Sequence, residues 1–72
     1  GHGLARGMLA DFEKHARTRG FRQISLDVRE TQEGAIALYE NAGFTRWGIK
    51  PNYALVDGQF IRGFFYTKDL GT

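Results

Sequence analysis

The sequence predicts an α/β domain with a mixed sheet, in the order helix, strand, helix, strand, strand. Two stretches carry apolar residues at helical spacing and end at a glycine, which is typical of amphipathic helices. Between them apolar and polar residues alternate, as in a strand with one buried face. An Asp-Gly pair between two later apolar segments indicates a hairpin. Together these patterns predict two helices and three strands.

The first helix is predicted over residues 4–19, with charged residues opposite its apolar positions. The apolar positions at helical spacing are Ala5, Met8, Leu9, Phe12 and Ala16. Gly20 is the expected C-cap, because helices commonly end with a glycine in the left-handed conformation. Arg17 and Arg19 occupy the last turn, where the helix dipole favours cations. The cap and the charges therefore predict the same end for this helix.

The first strand is predicted over residues 21–28, since apolar side chains alternate there with polar ones. The residues that share its apolar face are Ile24, Leu26 and Val28. Polar residues 30–33 then supply a turn and the start of a shorter helix. Its apolar positions lie within residues 35–42, and Gly43 is the expected cap.

Two further strands are predicted in the last third of the chain. The first covers residues 44–49 and is stopped by Pro51 and Asn52, because proline cannot donate a hydrogen bond to a strand ladder. The dipeptide 57–58, Asp-Gly, predicts a tight hairpin turn. Residues 59–68, rich in phenylalanine, isoleucine and tyrosine, are the expected final strand.

The length of the chain and the spacing of its histidines limit the kinds of functional site that we expect. A chain of 72 residues suffices for one small domain and buries only about 60% of the surface that its unfolded form exposes. It has no cysteine, and His2 and His15 are too far apart for a local pair of metal ligands. We therefore expect no metal site. We also expect residues 1–72 to be a single partial domain whose N-terminal strands and helices are missing, or a domain completed by a partner chain.

The charge and the hydropathy of the chain limit the classes of partner that we expect. The net charge of +2 favours anionic ligands weakly, and the basic residues are spread along the chain, so we expect no nucleic-acid partner. No apolar run approaches the roughly 20 residues that cross a membrane, so we expect no membrane partner. The lack of cysteine is compatible with a reducing compartment, and we expect a cytoplasmic protein.

The segment Gly1-His2-Gly3-Leu4-Ala5 stands in front of the first helix. Glycines at such a position let the backbone approach a ligand closely. The free N–H groups of a first helical turn, together with the positive end of the helix dipole, form an anion site suited to a diphosphate. Taken alone, however, glycines before a helix are more typical of an ordinary turn.

Tyr39 lies among the apolar positions of the second helix, in the segment 35–44. Alone, such a tyrosine is more typical of core packing. The two segments together change this interpretation. A glycine turn opening a helix, an amphipathic strand and then Ala-x-x-Leu-Tyr-x-x-x-Gly-Phe resemble the GNAT superfamily of acyl-CoA-dependent N-acetyltransferases, from Gly1 to about Leu70. The resemblance implies the C-terminal half of the acyl-CoA N-acyltransferase fold.

The resemblance also implies a binding site for acetyl-CoA. In the family the first motif is Gln/Arg-x-x-Gly-x-Gly/Ala. Gly3 and Ala5 match its last two fixed positions, and the leading residue would precede residue 1. The residues whose backbone amides would hold the pyrophosphate are His2, Gly3, Leu4, Ala5, Arg6 and Gly7. Where the family commonly has an asparagine that contacts the cofactor, this chain has Gln32, which offers the same amide on a longer stem.

For the chemistry, the resemblance implies direct transfer of an acetyl group to a primary amine of a small molecule or peptide. Tyr39 would protonate the departing thiolate as the general acid, because a phenol of pKa about 10 keeps its proton at neutral pH. Glu30 is the candidate base, with Asp27 as an alternative, although carboxylates at the end of a strand are more typical of solvated surface or of turns. Trp47 and Tyr53 either wall an acceptor pocket or pack in the core.

The family's other functional groups lie in its first half, which the resemblance does not cover. The activity is therefore expected to require that half, or a second copy that supplies it by strand exchange. An alternative is a non-catalytic binding or assembly module that keeps the fold and pairs with another chain. Substituting Tyr39 distinguishes the two hypotheses.

Overall fold

A computed structural model describes residues 2–71, with side chains from Arg6 onward. It has the predicted order of elements. These are α1 (His2–Thr18), β1 (Gln23–Arg29), α2 (Glu33–Asn41), β2 (Thr45–Val56) and β3 (Gln59–Asp69). The α/β prediction is therefore confirmed. None of the helices within residues 2–71 is long and apolar enough to cross a bilayer.

The three strands form one sheet in the order β1-β3-β2, so the last strand lies in the middle. Both pairings between residues 23 and 69 are antiparallel. Val28 pairs with Phe64, and Leu26 and Arg46 pair with Tyr66 from opposite sides. Because paired residues share a face, this register determines which side chains meet on each side of the sheet.

Both helices pack against one face of the sheet, and we call this the helix face. Its core consists of Ala16, Ile24, Val28, Phe44, Phe64, Tyr66 and Leu70. The predicted apolar face of β1 is confirmed, because Ile24 and Val28 are buried and Leu26 is half-buried. We call the opposite side the outer face. By register it carries Asp27, Arg29, Lys50, Gly63 and Phe65.

A partly buried ion pair joins the helices to the sheet. The carboxylate of Glu13, in α1, lies 2.6 Å from the Lys68 ammonium, in β3, and Glu13 is 7% exposed. The same ammonium donates a hydrogen bond to the carbonyl oxygen of Ala42, the C-cap of α2. A cation there satisfies an otherwise open carbonyl and complements the negative end of the helix dipole. Lys68 therefore holds α1, α2 and β3 together.

The predicted end of β2 at Pro51 is wrong, since the strand continues through Pro51 to Val56. β2 lies at an edge of the sheet, and its register with β3 shifts between Lys50 and Ala54. A proline is tolerated there because the bulge leaves it out of the ladder. The predicted hairpin turn is confirmed: Asp57 and Gly58 have φ angles of 51° and 78°, as a two-residue turn of type I′ requires.

The first helix begins earlier than predicted. His2 and Gly3 belong to the first turn of α1 rather than to a turn in front of it, whereas Gly1 lies outside the described residues. Glycine adopts helical φ angles as readily as positive ones, so a glycine before a helical pattern does not by itself determine where the helix begins.

Candidate functional site

The two helices begin at the same end of the sheet. α1 ends just before β1 starts, and Arg17 in its last turn donates a hydrogen bond of 3.3 Å to the carbonyl of Leu70. α2 starts directly after β1 ends and stops just before β2 starts. Ser25 and Thr45, near the starts of β1 and β2, pair with the same residue of β3, Thr67. Both helices therefore run from the carboxyl end of β1 toward its start.

This end of the domain favours an anion. The first turn of a helix has N–H groups without intrahelical partners, and two helix dipoles present their positive ends here. The predicted pyrophosphate residues His2 to Gly7 all lie in the first two turns of α1. Arg6 also lines a groove of about 470 Å³ between the two helices, together with Leu9, Glu13 and Leu38. The structure describes the backbone of residues 2–5, and the side chains begin at Arg6.

Gln32 lies at the same end, as the N-cap residue of α2. Its carbonyl accepts the first hydrogen bond of that helix, from the Ile36 N–H at 3.0 Å. Its side chain is exposed and makes no capping hydrogen bond. The Gln32 amide can therefore turn toward a ligand without breaking a contact that holds the helix.

Tyr39 lies on the sheet-facing side of α2, six residues after the helix begins. That is about 9 Å along the helix axis from the start of α2. Its ring is half-buried, with centroids 5.6 Å from the ring of Phe44 and 6.4 Å from that of Tyr66. Core packing and a functional hydroxyl are compatible in this position, because the packing contacts are made by the ring.

A polar network that the sequence did not indicate lies beside Tyr39. Tyr66, fully buried, donates a hydrogen bond of 2.7 Å to Glu40 and accepts two from Arg46, at 3.0 and 3.1 Å. Burial, followed by the hydrogen bond to Glu40, raises the pKa of Tyr66. The Arg46 guanidinium also lies 3.9 Å over the ring of Phe64. The network occupies the Tyr66 hydroxyl and does not include that of Tyr39.

Glu30, the predicted base, follows the end of β1 and is held by Arg62. Its carboxylate accepts a hydrogen bond from the Arg62 backbone N–H and another, of 3.1 Å, from the side-chain Nε. These two contacts, the backbone one first, lower the pKa of Glu30. A carboxylate with a lowered pKa is a weaker proton acceptor, so the geometry makes Glu30 less suited to this role.

Asp27, the alternative base, lies on the outer face and is exposed. Its carboxylate accepts a hydrogen bond from the hydroxyl of Tyr53. This contact, followed by burial, raises the pKa of Tyr53. The two residues lie on different strands, and the structure brings together two residues that the sequence analysis named separately. Trp47, the other predicted wall residue, is 65% exposed and packs on Phe65 with ring centroids 5.4 Å apart.

The described residues form no cluster of three or more histidine, aspartate or glutamate side chains that is able to hold a metal ion. What they offer instead is an end of the sheet at which two helices begin, a tyrosine on α2, and carboxylates near the carboxyl half of β1.

A family model described as the acetyltransferase (GNAT) family matches residues 1–44. Mycothiol acetyltransferase of Streptosporangium roseum is 43% identical over 53 residues, which are 74% of this chain and 16% of that protein. The chain spans 16% to 18% of the length of the curated mycothiol acetyltransferases that it matches.

Solved acetyltransferase structures are also similar to this chain. The ribosomal-protein-S18-alanine N-acetyltransferase of Escherichia coli is 28% identical, with a TM-score of 0.88 over 97% of this chain and 45% of that one. The yncA protein of Salmonella typhimurium, solved with its cofactor acetyl-CoA, has a TM-score of 0.90 over 99% of this chain and 41% of its own. At 24% identity the second likeness concerns the fold alone.

Proposed function

The chain belongs to the acetyltransferase (GNAT) family, and from this premise we propose that it forms part of an N-acetyltransferase that uses acetyl-CoA. The acceptor is a primary amine of a small molecule or peptide. The observation that supports the proposal is that the two helices begin at the same end of the sheet, with residues 2–7 at the start of α1 and Gln32 at the start of α2. Because the chain spans less than a fifth of its curated relatives, the activity is that of the protein that contains it.

Acetyl-CoA would bind with its pyrophosphate at the start of α1. The N–H groups of the first turn of α1 would supply donors there, and Arg6 would add a charge-assisted contact through its side chain. The backbone N–H groups of Arg6 and Gly7 lie beyond this turn and bond within the helix. The exposed amide of Gln32 would contact the cofactor from the start of α2. The thioester would lie farther along α2, beside Tyr39, so that the pantetheine arm spans the interval between the two positions.

The reaction would proceed by direct attack. The amine nitrogen adds to the thioester carbonyl carbon, the carbon–sulfur bond breaks, and the thiolate leaves. Tyr39 donates its phenolic proton to that sulfur, and a carboxylate takes the proton that the nitrogen loses. Glu30 and Asp27 are the candidates for this second role, and the two hydrogen bonds that Arg62 donates to Glu30 favour Asp27. No acyl-enzyme is needed.

The test is acetyl-CoA-dependent turnover by the full protein. We expect CoA release with one or more members of a panel of primary amines. Tyr39→Phe keeps the ring that packs on Phe44 and removes only the proton donor, so kcat should fall about a hundredfold with unchanged acetyl-CoA affinity. Tyr66→Phe is the matched control, since it removes a hydroxyl from the neighbouring ring that the proposal gives no chemical role.

Two results would contradict the proposal. Binding of acetyl-CoA without CoA release on any amine would favour a non-catalytic module that keeps the fold. Loss of folding in Tyr39→Phe, with Tyr66→Phe folded, would make Tyr39 a structural residue.

A further inference from the structure

A contact on the outer face joins all three strands of the sheet. Tyr53, in β2, reaches across β3 and donates a hydrogen bond to the carboxylate of Asp27, in β1. Its ring lies over Gly63 of β3 on the way. Since β1 and β2 are not neighbours in the sheet, only a long side chain that crosses the central strand can make this contact.

Gly63 makes the crossing possible. A Cβ atom added at Gly63 would overlap the ring of Tyr53, so every other residue type would displace the ring or the strand. Glycine within a strand weakens the strand, because it packs no side chain and is more flexible when unfolded. Its position beneath the ring gives this glycine a function that offsets that cost.

The bulge in β2 also serves the contact. Residues 51–53 lie between Lys50 and Ala54, where the register with β3 shifts. The regular pairing of β2 with β3 is therefore interrupted at the segment that contains Tyr53. Bulges commonly reorient a side chain next to an active site.

The contact gives little stability in return. Asp27 is exposed and Tyr53 is only half-buried. A hydrogen bond that water reaches contributes modestly to folding. A glycine, a bulge and an aromatic side chain are thus combined to hold one exposed carboxylate in one orientation.

We propose that Tyr53 is a positioning residue that orients the Asp27 carboxylate to accept the proton of the incoming amine. This inference rests on the proposed function and names the base within it. Asp27 lies on β1, an outer strand of the described sheet, and its carboxylate is exposed on the face opposite the helices.

The protonation of Tyr53 suits a positioning role. Its phenol is the donor, and the Asp27 carboxylate the acceptor, of the hydrogen bond between them. The raised pKa of Tyr53 keeps the phenol protonated, so it remains a donor to the carboxylate.

The experiment is a double-mutant cycle in the full protein with the best amine from the panel. Tyr53→Phe keeps the ring over Gly63 and removes only the hydroxyl. We expect it to lower kcat about tenfold, while the KM for acetyl-CoA stays unchanged. Asp27→Asn should lower kcat further, and Tyr53→Phe should have no additional effect in the Asp27→Asn background.

A matched control removes another exposed hydrogen bond far from the site. Thr18→Val eliminates the bond of 2.9 Å from the Thr18 hydroxyl to the carbonyl of Lys14, and we expect wild-type kcat. Gly63→Ala provides an independent route, because it displaces the Tyr53 ring without changing either partner. It should reproduce the kcat of Tyr53→Phe in protein that remains folded.

Three results would overturn the inference. Tyr53→Phe with wild-type kcat would leave the contact without a role in turnover. If Tyr53→Phe lowers kcat by the same factor in the wild-type and in the Asp27→Asn background, Tyr53 does not act through the carboxylate. A change confined to the KM of the amine would make Tyr53 a binding residue. An inactive wild-type protein, by contrast, would refute the proposed function itself.

Discussion

The two faces of the sheet use polar residues in different ways. On the helix face, Tyr66 is fully buried and its hydroxyl is bonded to both Glu40 and Arg46. On the outer face, the hydrogen bond from Tyr53 to Asp27 is exposed. A buried polar group without a partner is costly, whereas an exposed one can bond water. Polar contacts on the helix face therefore maintain the fold, and those on the outer face are free to serve function.

The largest effect on stability is expected when two neighbouring phenylalanines of β3, one on each face, are compared. Phe64 points to the helix face and is 6% exposed, and Phe65 lies on the outer face and is half-buried. Phe64→Ala should lower the free energy of unfolding by about 3–4 kcal/mol, through lost burial and an unfilled cavity. Phe65→Ala, the matched control, should cost about half as much. Urea unfolding of the intact protein measures both, and equal losses would contradict the distinction between the faces.

A smaller effect should follow from breaking the ion pair that joins the helices to β3. Lys68→Met removes the cation, leaving the buried carboxylate of Glu13 and the carbonyl of Ala42 without their donor. We expect a loss of about 2–3 kcal/mol, somewhat below that of a fully buried pair because Lys68 is partly exposed.

The double variant Glu13→Leu, Lys68→Met tests the reason for that loss. It removes both charges and leaves apolar side chains in their place, so most of the stability should return. If the double variant is as unstable as Lys68→Met, the cost arises from packing or from the cap of α2, and the unpaired carboxylate is not its cause.

Much of the fold is predictable from local patterns. The alternation in β1 and the glycine after α2 depend on side chains close in sequence, and so does the turn at Asp57. The continuation of β2 through Pro51 is not predictable in this way. Whether a proline ends a strand depends on whether its nitrogen faces a partner, and that depends on strand order and on the bulge.

The candidate site shows the same limit. Tyr39 belongs to a motif of nearby residues, so the sequence indicates it directly. The contact between Tyr53 and Asp27 depends on which strand lies between theirs and on a glycine at one position of that strand. Twenty-six residues separate the two partners. A pattern of period two determines which face of a sheet a side chain occupies, but it does not determine which strand lies between two others. It therefore predicts the two residues but not the contact between them.

The smallest effect is expected at Glu30, where the contact with Arg62 is exposed. The pKa of Glu30 is lowered in the folded chain, so the contact contributes stability above the ordinary glutamate pKa of about 4.3 and loses it as pH falls through the folded value. Glu30→Gln should therefore be slightly less stable than wild type at pH 7, with the difference vanishing in acid. Arg62→Gln should show a weaker pH dependence, because it removes the side-chain contact and keeps the hydrogen bond from the backbone N–H. Thermal unfolding at a series of pH values measures both variants, and a difference that persists unchanged below pH of about 3 would mean that Glu30 stabilises the chain by packing rather than by charge.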